Sequence, residues 1–374
     1  MENTSPLYQW HVDAGAKMAD FGGWDMPIEY PKVMVGEQAG GVLAEHAAVR
    51  EKVGIFDVSH LGKIGITGPG AIDFLNGIVT NDLSKISNGS SQYNLLCNEK
   101  GGVIDDLIVY RKSEEDLFLI PNAANCSAVF DVISNAAPSG IAVVNIHKSF
   151  GVLAVQGPLS GKVMESLGLD LNLDYTEFTV ATLPDYQALG QIIVCRTGYT
   201  GEFGYELVPA WSSTLALWEL LVEKITEVGG RVCGLGSRDT LRTEMAYPLH
   251  GHELSLEITP LEASANWAIA LEKSGFNGKE SLVNLKRDGL SRRLRGLKSK
   301  DRGIPRAGMN VMTGDGKVVG IVTSGTFSPT LKQGIALALI STDISIGDEL
   351  TIDVRGRVSV VEVVKTPFVE SHVR

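Results

Sequence analysis

The sequence comprises 374 residues, of which 44% are hydrophobic and 21% charged, and its formal net charge is −11 at pH 7. This composition is typical of a folded globular protein rather than a disordered one, and the length predicts about two or three domains. The acidic balance argues against nucleic acid as the main partner, and no long apolar run or signal-peptide pattern points to a membrane.

Four cysteines lie far apart in the sequence, with no CxxC pair and no short cysteine–histidine spacing; they are Cys97, Cys126, Cys195 and Cys233. This spacing favours reduced, packed thiols over disulfides or a zinc site. The run His250-Gly251-His252-Glu253 also lacks the HExxH spacing of zinc proteases. We therefore predict a cytoplasmic protein that uses no metal.

The first elements alternate helical and strand patterns. Helical spacing covers 7–17 and 36–52, and a short strand then enters a polar turn at His60. His60 has two interpretations, a general base or part of a local hydrogen-bonded turn with Asp57 and Ser59. Because no nucleophile motif lies nearby, we favour the structural interpretation.

Two adjacent carboxylates stand in the middle of an otherwise apolar strand pattern, Gly101-Gly102-Val103-Ile104-Asp105-Asp106-Leu107-Ile108-Val109-Tyr110. Side chains alternate across a strand, so Asp105 and Asp106 are expected to point to opposite faces. Burying an unpaired carboxylate is costly, so at least one of the pair needs a partner or a chemical task. Either one alone could simply tie down a loop or a backbone amide. The pair is the first candidate for chemistry.

Strand patterns occur at 93–98, 118–121 and 152–155, and a glycine-rich cluster follows over 196–206. Its glycines suggest a phosphate loop, but neither the P-loop ending nor a GxGxxG fingerprint is present. The cluster is better interpreted as two short strands joined by a tight turn. This interpretation places Glu206 on an apolar strand, where it must be paired or used.

A helix is predicted to begin near 234–239, with Arg238 in its first turn. An arginine is electrostatically unfavourable there, so Arg238 points either to function or to an ion pair with a facing carboxylate. From about residue 292, short β runs alternate with glycine and proline, which predicts an all-β module. Seven basic residues crowd 292–306; we predict a solvated face, with an anion or partner site as the alternative.

Several of these stretches together resemble one known family. The motifs are Gly15-Ala16-Lys17-Met18, Phe21-Gly22-Gly23-Trp24-Asp25-Met26-Pro27, Phe56-Asp57-Val58-Ser59-His60, Gly101-Gly102-Val103-Ile104-Asp105-Asp106-Leu107, Gln156-Gly157-Pro158, Arg196-Thr197-Gly198-Tyr199-Thr200-Gly201-Glu202-Phe203-Gly204, Arg238-Asp239-Thr240-Leu241-Arg242 and Val322-Thr323-Ser324-Gly325-Thr326-Phe327-Ser328-Pro329. In number and order, over 7–368, they closely resemble the T-protein family of the glycine cleavage system, the tetrahydrofolate-dependent aminomethyltransferases.

The resemblance implies an α+β fold, a three-domain cloverleaf with a central folate cavity. Two α+β domains interleaved in sequence would form the folate-binding region, and an all-β barrel or roll would follow. The implied boundaries are 1–285 for the folate-binding region (approximately 1–52 with 140–240, and 53–139 with 241–285) and 286–374 for the barrel.

The resemblance also implies an enzyme whose partner is the lipoylated H-protein and whose co-substrate is tetrahydrofolate. Ammonia would leave the aminomethyl-lipoyl arm, and the products would be 5,10-methylenetetrahydrofolate and dihydrolipoyl H-protein. Folate-binding relatives on this fold leave two alternatives. One is a tetrahydrofolate-dependent demethylase of a small methylated substrate, which the same pocket would serve. The other is a non-enzymatic iron–sulfur assembly factor, which the absence of a cysteine from 196–202 disfavours.

Carried over motif by motif, the resemblance assigns the catalytic carboxylate to Asp106 and leaves Asp105 as the better candidate for a structural role. The folate-binding and cavity-lining positions it implies are Glu206, Arg238, Tyr199, Tyr93, Ile120 and Leu61. A carboxylate can bind the flat amide and amino edge of a pterin with paired hydrogen bonds. Leucine at 61 replaces the usual methionine, a swap that conserves volume. The last residues of the sequence lack the tyrosine that some relatives place near the folate, which leaves a contact from this tail open.

Overall fold

A computed structural model describes residues 3–31, 40–354 and 356–374 of the chain. Within these residues the α-helices, labelled in chain order, are α1 (Tyr8–Asp13), α2 (Val42–Glu51), α3 (Ala71–Asn76), α4 (Cys126–Ala136), α5 (Ser160–Ser166), α6 (Thr214–Glu227), α7 (Leu235–Glu244) and α8 (Lys279–Asp288). Short 3₁₀ turns lie at Leu83–Lys85, Ala123–Asn125, His147–Ser149, Gln187–Leu189, Trp211–Ser213 and Asn266–Ala268.

The strands in the same described ranges are β1 (Asn3–Thr4), β2 (Lys17–Phe21), β3 (Trp24–Glu29), β4 (Gly54–Asp57), β5 (Ile64–Thr67), β6 (Ser90–Cys97), β7 (Val103–Ser113), β8 (Asp116–Pro121), β9 (Ala142–Asn145), β10 (Leu153–Gln156), β11 (Phe178–Thr182), β12 (Gln191–Cys195), β13 (Gly204–Val208), β14 (Arg231–Val232), β15 (Arg292–Ser299), β16 (Asn310–Met312), β17 (Val318–Ser328), β18 (Gln333–Ser341), β19 (Glu349–Val354) and β20 (Arg357–Val364).

Two large sheets are interleaved along the chain. The first has the order β11-β12-β13-β10-β4-β14, and its pairs are antiparallel except β4 with β14. The second is antiparallel throughout, with the order β6-β7-β8-β5-β9. The chain therefore enters the six-stranded sheet at β4, leaves it for the whole five-stranded sheet, and returns at β10. A small sheet, β1-β3-β2, precedes both.

The strands at the centre of the six-stranded sheet are covered on both faces. Every residue of β4, β10 and β13 is buried. On one face, Val155 and Leu207 pack against Leu217 and Trp218 of α6. Burying side chains of this size contributes about 1.5–3 kcal/mol each, which explains the continuous apolar runs of these strands.

A shared apolar core lies between the two large sheets. Its members from the six-stranded sheet include Phe56, Ala154 and Val208, and those from the five-stranded sheet include Tyr110, Phe118 and Ile120. Alternate side chains of a strand share a face, so Glu206 lies on the same side of β13 as Val208. By the same alternation Asp106 lies on the same side of β7 as Tyr110. Both carboxylates therefore face this inter-sheet space.

The last six strands close into a barrel with the order β15-β18-β17-β16-β19-β20. Helix α7 connects this barrel to helix α2 through Glu244, which is fully buried at the end of α7. The Glu244 carboxylate accepts hydrogen bonds from Ser328 Oγ (2.5 Å) and Thr330 Oγ1 (2.9 Å) of the barrel. It also accepts one from Arg50 Nη2 of α2 (2.8 Å), so a single buried carboxylate ties three elements together.

The predicted α+β fold that ends in a β-barrel is confirmed. Of the predicted helix over 36–52, the structure contains α2, and residues 36–39 lie outside the described residues. Within the described ranges no helix is long and apolar enough to span a membrane. The first part of the basic stretch 292–306 lies on strand β15 (Arg292–Ser299). There Arg292 Nε donates a hydrogen bond to Glu262 Oε1 (2.8 Å).

The division of the first 285 residues into domains stays a prediction. Strand β4 pairs with β10, and β9 pairs with β5, whereas boundaries at 52 and 140 would separate each strand from its partner. We propose that the boundaries lie near residues 60 and 146, so that the sheets remain whole.

Candidate active site

Asp106 lies near the start of β7 and is half-buried. Tyr93 Oη donates a hydrogen bond to Oδ2 of Asp106 (3.0 Å), and Asn122 Nδ2 donates to Oδ1 (2.9 Å). Burial raises the pKa of Asp106 above its ordinary value, although these two hydrogen bonds work in the opposite direction. A carboxylate with a raised pKa exchanges its proton closer to neutral pH, which suits general acid–base chemistry.

Asp105 points to the other side of β7 and is fully buried. Its Oδ2 accepts from the backbone N–H of Asn122 (2.9 Å), and its Oδ1 accepts from Nδ2 of Asn122 (2.9 Å) and of Asn125 (2.7 Å). Burial and the charge of Asp106 raise the pKa of Asp105 well above its ordinary value. These contacts fasten the loop after β8 to the strand, which agrees with the structural role expected of Asp105.

Asn122 and His250 are site residues that sequence reasoning missed. The side-chain amide of Asn122 reaches one oxygen of Asp105 and one of Asp106, although the two carboxylates leave opposite faces of the strand. His250 Nε2 donates to the carbonyl of Val103 (3.0 Å), and its Nδ1 accepts from Asn125 Nδ2 (3.0 Å). For Asn122 the only available signal was an asparagine directly after a strand, which is too common to single out. His250 was considered only as a metal ligand, because its partners are distant in the sequence.

Glu206 is buried at the centre of β13. Thr197 Oγ1 donates a 2.7 Å hydrogen bond to its Oε2, and the backbone pairs it with Ala154 and Cys195 on either side. Thr197 therefore holds one of the two carboxylate oxygens of Glu206. Glu206 faces the inter-sheet space from the opposite sheet to Asp106.

Arg238 lies in the first turn of α7, as predicted, with its guanidinium carbon 4.8 Å from the centre of the Tyr199 ring. Burial lowers the pKa of Arg238, and the negative charge of Glu206 opposes that effect. Its Nη1 is buried and has no hydrogen-bond partner in the part of the chain that the structure describes. An unpaired buried donor beside a carboxylate and an aromatic ring suits a polar ligand.

Tyr199 is held by contacts outside its own loop. Its phenol donates a hydrogen bond to the carbonyl of Pro248, and its ring lies 5.6 Å from the ring of Tyr247. Burial raises the pKa of Tyr199, so the phenol keeps its proton at neutral pH.

Comparisons with known proteins assign this chain to a family. The family model described as the GCVT N-terminal domain matches residues 7–273, and the glycine cleavage T-protein C-terminal barrel domain matches residues 292–370. The aminomethyltransferase of Parafrankia sp. (strain EAN1pec) is 52% identical over 372 residues, which cover 99% of this chain and 98% of that protein. The aminomethyltransferase of Mycobacterium tuberculosis (strain ATCC 25618 / H37Rv) is 50% identical over 366 residues, or 97% of this chain and 96% of that protein.

The chain belongs to the glycine cleavage T-protein family. A solved structure agrees with this conclusion. The crystal structure of glycine cleavage system aminomethyltransferase T from Bartonella henselae has a TM-score of 0.90 and 32% sequence identity, covering 100% of this chain and 99% of that one. The resemblance drawn from the motifs is thus confirmed, as is the expectation of a transferase.

Two further residues expected to line the cavity of this T-protein family member lie in the shared apolar core. Ile120 of β8 is buried there, and Leu61 packs against the same core while remaining half-buried. Together they form an apolar wall beside the polar residues of the inter-sheet space. Their contact with folate remains a prediction.

His60 is buried, and its carbonyl accepts a hydrogen bond from His147 Nε2 (2.8 Å). Burial lowers the pKa of His60 to about 3, so the ring is neutral near pH 7. The local turn that was predicted is present, because Asp57 Oδ1 accepts from the backbone N–H of Ser59 (2.9 Å). This favours the structural interpretation of the Phe56-Asp57-Val58-Ser59-His60 motif in this T-protein family member.

The tail of the chain contacts the loop that carries Tyr199. Arg196 Nη2 donates to the carbonyl of Val373 (2.6 Å), and the backbone N–H of His372 donates to the carbonyl of Gly201 (2.7 Å). Both contacts use backbone groups of the tail. They therefore do not depend on which side chains the tail carries.

Proposed function

We propose that the chain transfers the one-carbon unit of an aminomethyl group from the lipoyl arm of H-protein to tetrahydrofolate. The observation that carries this proposal is the placement of a half-buried Asp106, with a raised pKa, on the wall of the inter-sheet space that also contains Glu206. The names of the relatives support the reaction class, and the site residues support the particular substrates.

The residues of the inter-sheet space fit tetrahydrofolate as a co-substrate. Glu206 offers a fixed carboxylate for the amide and amino edge of the pterin, and Arg238 offers a buried donor that has no other partner in the described residues. The apolar wall that includes Ile120 and Leu61 suits the faces of an aromatic ring system. Tetrahydrofolate supplies two amine nitrogens that accept the one-carbon unit.

The proposed reaction balances in atoms and protons. The carbon–nitrogen and carbon–sulfur bonds of the aminomethyl-lipoyl group break, and two carbon–nitrogen bonds to tetrahydrofolate form. Two protons leave the folate nitrogens; one is needed by the departing ammonia and one by the departing thiol. The products are ammonia, dihydrolipoyl H-protein and 5,10-methylenetetrahydrofolate.

Asp106 supports these steps by electrostatics and proton handling. Its carboxylate would stabilise positive charge on the carbon during transfer, since negative charge in a water-poor site acts strongly. Tyr93 and Asn122 fix its two oxygens, so no reorganisation of the carboxylate is needed during the reaction. Its raised pKa allows it to accept one proton and pass it on.

The test is tetrahydrofolate-dependent ammonia release from aminomethylated H-protein, with wild type compared with Asp106→Asn. We expect the variant to lose about two powers of ten or more in kcat, with tetrahydrofolate binding retained. Asp116→Asn on the neighbouring strand, which removes a partly exposed ion pair with Lys112, is the matched control and should keep full activity.

Each alternative outcome identifies a different error. Methyl transfer from a small methylated donor, without turnover of H-protein, would establish the demethylase instead. Full activity of Asp106→Asn would leave the reaction standing and remove Asp106 from it.

We also propose a cytoplasmic location, supported by four cysteines that are all buried and free.

A further inference from the structure

Trp267 exposes a large aromatic ring on a firmly held turn. Its side chain is 65% exposed, whereas Ala265 and Ala268 on either side are buried. The carbonyl of Ala268 accepts a 2.7 Å hydrogen bond from Thr80 Oγ1, which fixes the turn to the neighbouring loop. Tryptophan is enriched at binding surfaces, where it supplies a large rigid contact area.

The ring of Trp267 is stacked on Tyr93. The ring centres are 5.1 Å apart and the planes meet at 30°. Since Tyr93 Oη donates to Asp106 Oδ2 (3.0 Å), a continuous series of contacts runs from solvent to the candidate catalytic carboxylate. Trp267 is at the solvent end of this series.

Trp267 is linked to the site through Tyr93, which lies on a different sheet from Glu206. Glu206 is buried on the six-stranded sheet, and the guanidinium of Arg238 is beside Tyr199. Trp267 instead lies against the five-stranded sheet through Tyr93 on β6. Among these residues Trp267 is the one whose ring lies in solvent, and it is two contacts away from Asp106.

We propose that the indole of Trp267 binds the lipoyl arm of the carrier protein at the rim of the site. This proposal rests on the proposed function, which requires an apolar acyl chain bearing sulfur to reach Asp106 from outside. Hydrocarbon and sulfur groups both pack favourably against aromatic rings. Trp267 would then position the arm, while the residues of the inter-sheet space bind tetrahydrofolate.

The first experiment uses lipoamide alone and does not depend on turnover. Lipoamide is titrated into wild type, Trp267→Phe and Tyr186→Ala while tryptophan fluorescence is recorded. We expect saturable quenching in wild type and in the Tyr186→Ala control, another exposed aromatic. In Trp267→Phe the saturable component should disappear. Equal quenching in Trp267→Phe and wild type would overturn the proposal, whether or not the proposed reaction is observed.

The second experiment separates the arm from folate. In Trp267→Ala the KM for aminomethylated H-protein should rise by about three- to tenfold, and Trp267→Phe should recover most of this loss. The dissociation constant of tetrahydrofolate should remain within about twofold of wild type. A rise in that constant equal to the rise in KM would overturn the assignment and place Trp267 in the folate site. If lipoamide quenches the tryptophan fluorescence of the wild-type protein but no ammonia is released, the proposed function is overturned and the contact of Trp267 with the lipoyl group stands.

Discussion

Tyr93 Oη on β6 donates a 3.0 Å hydrogen bond to Asp106 Oδ2 on β7. Tyr93 pairs with Ile108, and Asp106 pairs with Leu95, so the two side chains are diagonal neighbours on the same face of the sheet. A long aromatic side chain can cover that diagonal. The sheet register thus places the phenol of Tyr93 where it can donate a hydrogen bond to Asp106, the candidate catalytic carboxylate.

Tyr93→Phe should change the pH dependence of turnover. The hydrogen bond from Tyr93 lowers the pKa of Asp106 against the dominant effect of burial, so its removal raises that pKa further. If ionised Asp106 is the active form, the acidic limb of the pH–rate profile moves to higher pH. Loss of one charge-assisted hydrogen bond also predicts a decrease in kcat of about tenfold.

The control for this change is Tyr186→Phe, which removes an exposed phenol. A Tyr93→Phe profile that coincides with that of wild type would show that the carboxylate does not need this donor.

Gly102→Ala should destabilise the start of β7. A Cβ at this position would lie 1.8 Å from the carbonyl oxygen of Leu256, which is backbone and cannot swing away. The loop that contains Leu256 would have to move. A hydrogen bond resists this movement, because the backbone N–H of Val103 donates to the carbonyl of Ser255 (2.7 Å) in the same loop. We expect a loss of about 2–4 kcal/mol in the free energy of unfolding, together with reduced kcat.

Gly314→Ala is the matched substitution, because its Cβ would meet nothing within 4 Å. Its free energy of unfolding should stay within about 0.5 kcal/mol of wild type. Equal stability of the two variants in denaturant titrations would contradict the expected clash.

Removal of residues 371–374 should weaken tetrahydrofolate binding. This segment supplies the carbonyl of Val373 to Arg196 and the N–H of His372 to Gly201, and both contacts hold the loop that carries Tyr199. One or both of two hydrogen bonds of about 1 kcal/mol each predict a dissociation constant about five- to thirtyfold higher by calorimetry.

His372→Ala is the control, since it keeps the backbone contacts of the tail. It removes only the ion pair of an exposed imidazole with Glu202, which contributes little to stability. Wild-type affinity in the shortened chain would show that the loop is positioned without the tail.

Glu244→Gln should weaken the junction between α2, α7 and the barrel. Burial works against ionisation of Glu244, but hydrogen bonds from His46 and Ser328 and the charge of Arg50 outweigh it and lower its pKa to about 2. Loss of a buried partner of this kind costs about 3–5 kcal/mol near pH 7. The exposed pair of Lys300 with Glu349 provides a control, since Glu349→Gln should cost less than about 1 kcal/mol.

The pH dependence of this effect has a definite sign. The pKa of Glu244 in the folded state is about 2, below its ordinary value of 4.5, so the ionised carboxylate stabilises the fold fully above pH 4.5. This contribution is lost as the pH falls toward 2. The difference in free energy of unfolding between wild type and Glu244→Gln should therefore shrink over that range, and a constant difference would contradict the assignment.

The sequence predicted the parts of the site that depend on local geometry. Alternation along one strand is enough to send Asp105 and Asp106 to opposite faces. In the structure Asp105 is buried and bonded to the loop after β8, whereas Asp106 is half-buried. The position of Arg238 in the first turn of a helix follows from local signals as well. The motifs, taken in order, were specific enough to identify the family.

The structure decided which distant residues meet. Asn122 reaches both carboxylates only because β8 returns beside β7, and Trp267 covers Tyr93 only because a later turn packs on β6. Secondary structure and residue type follow from interactions between near neighbours in the chain, which a single sequence displays. Contacts across sheets and between domains depend on strand register and on how sheets pack, and only the tertiary structure determines these.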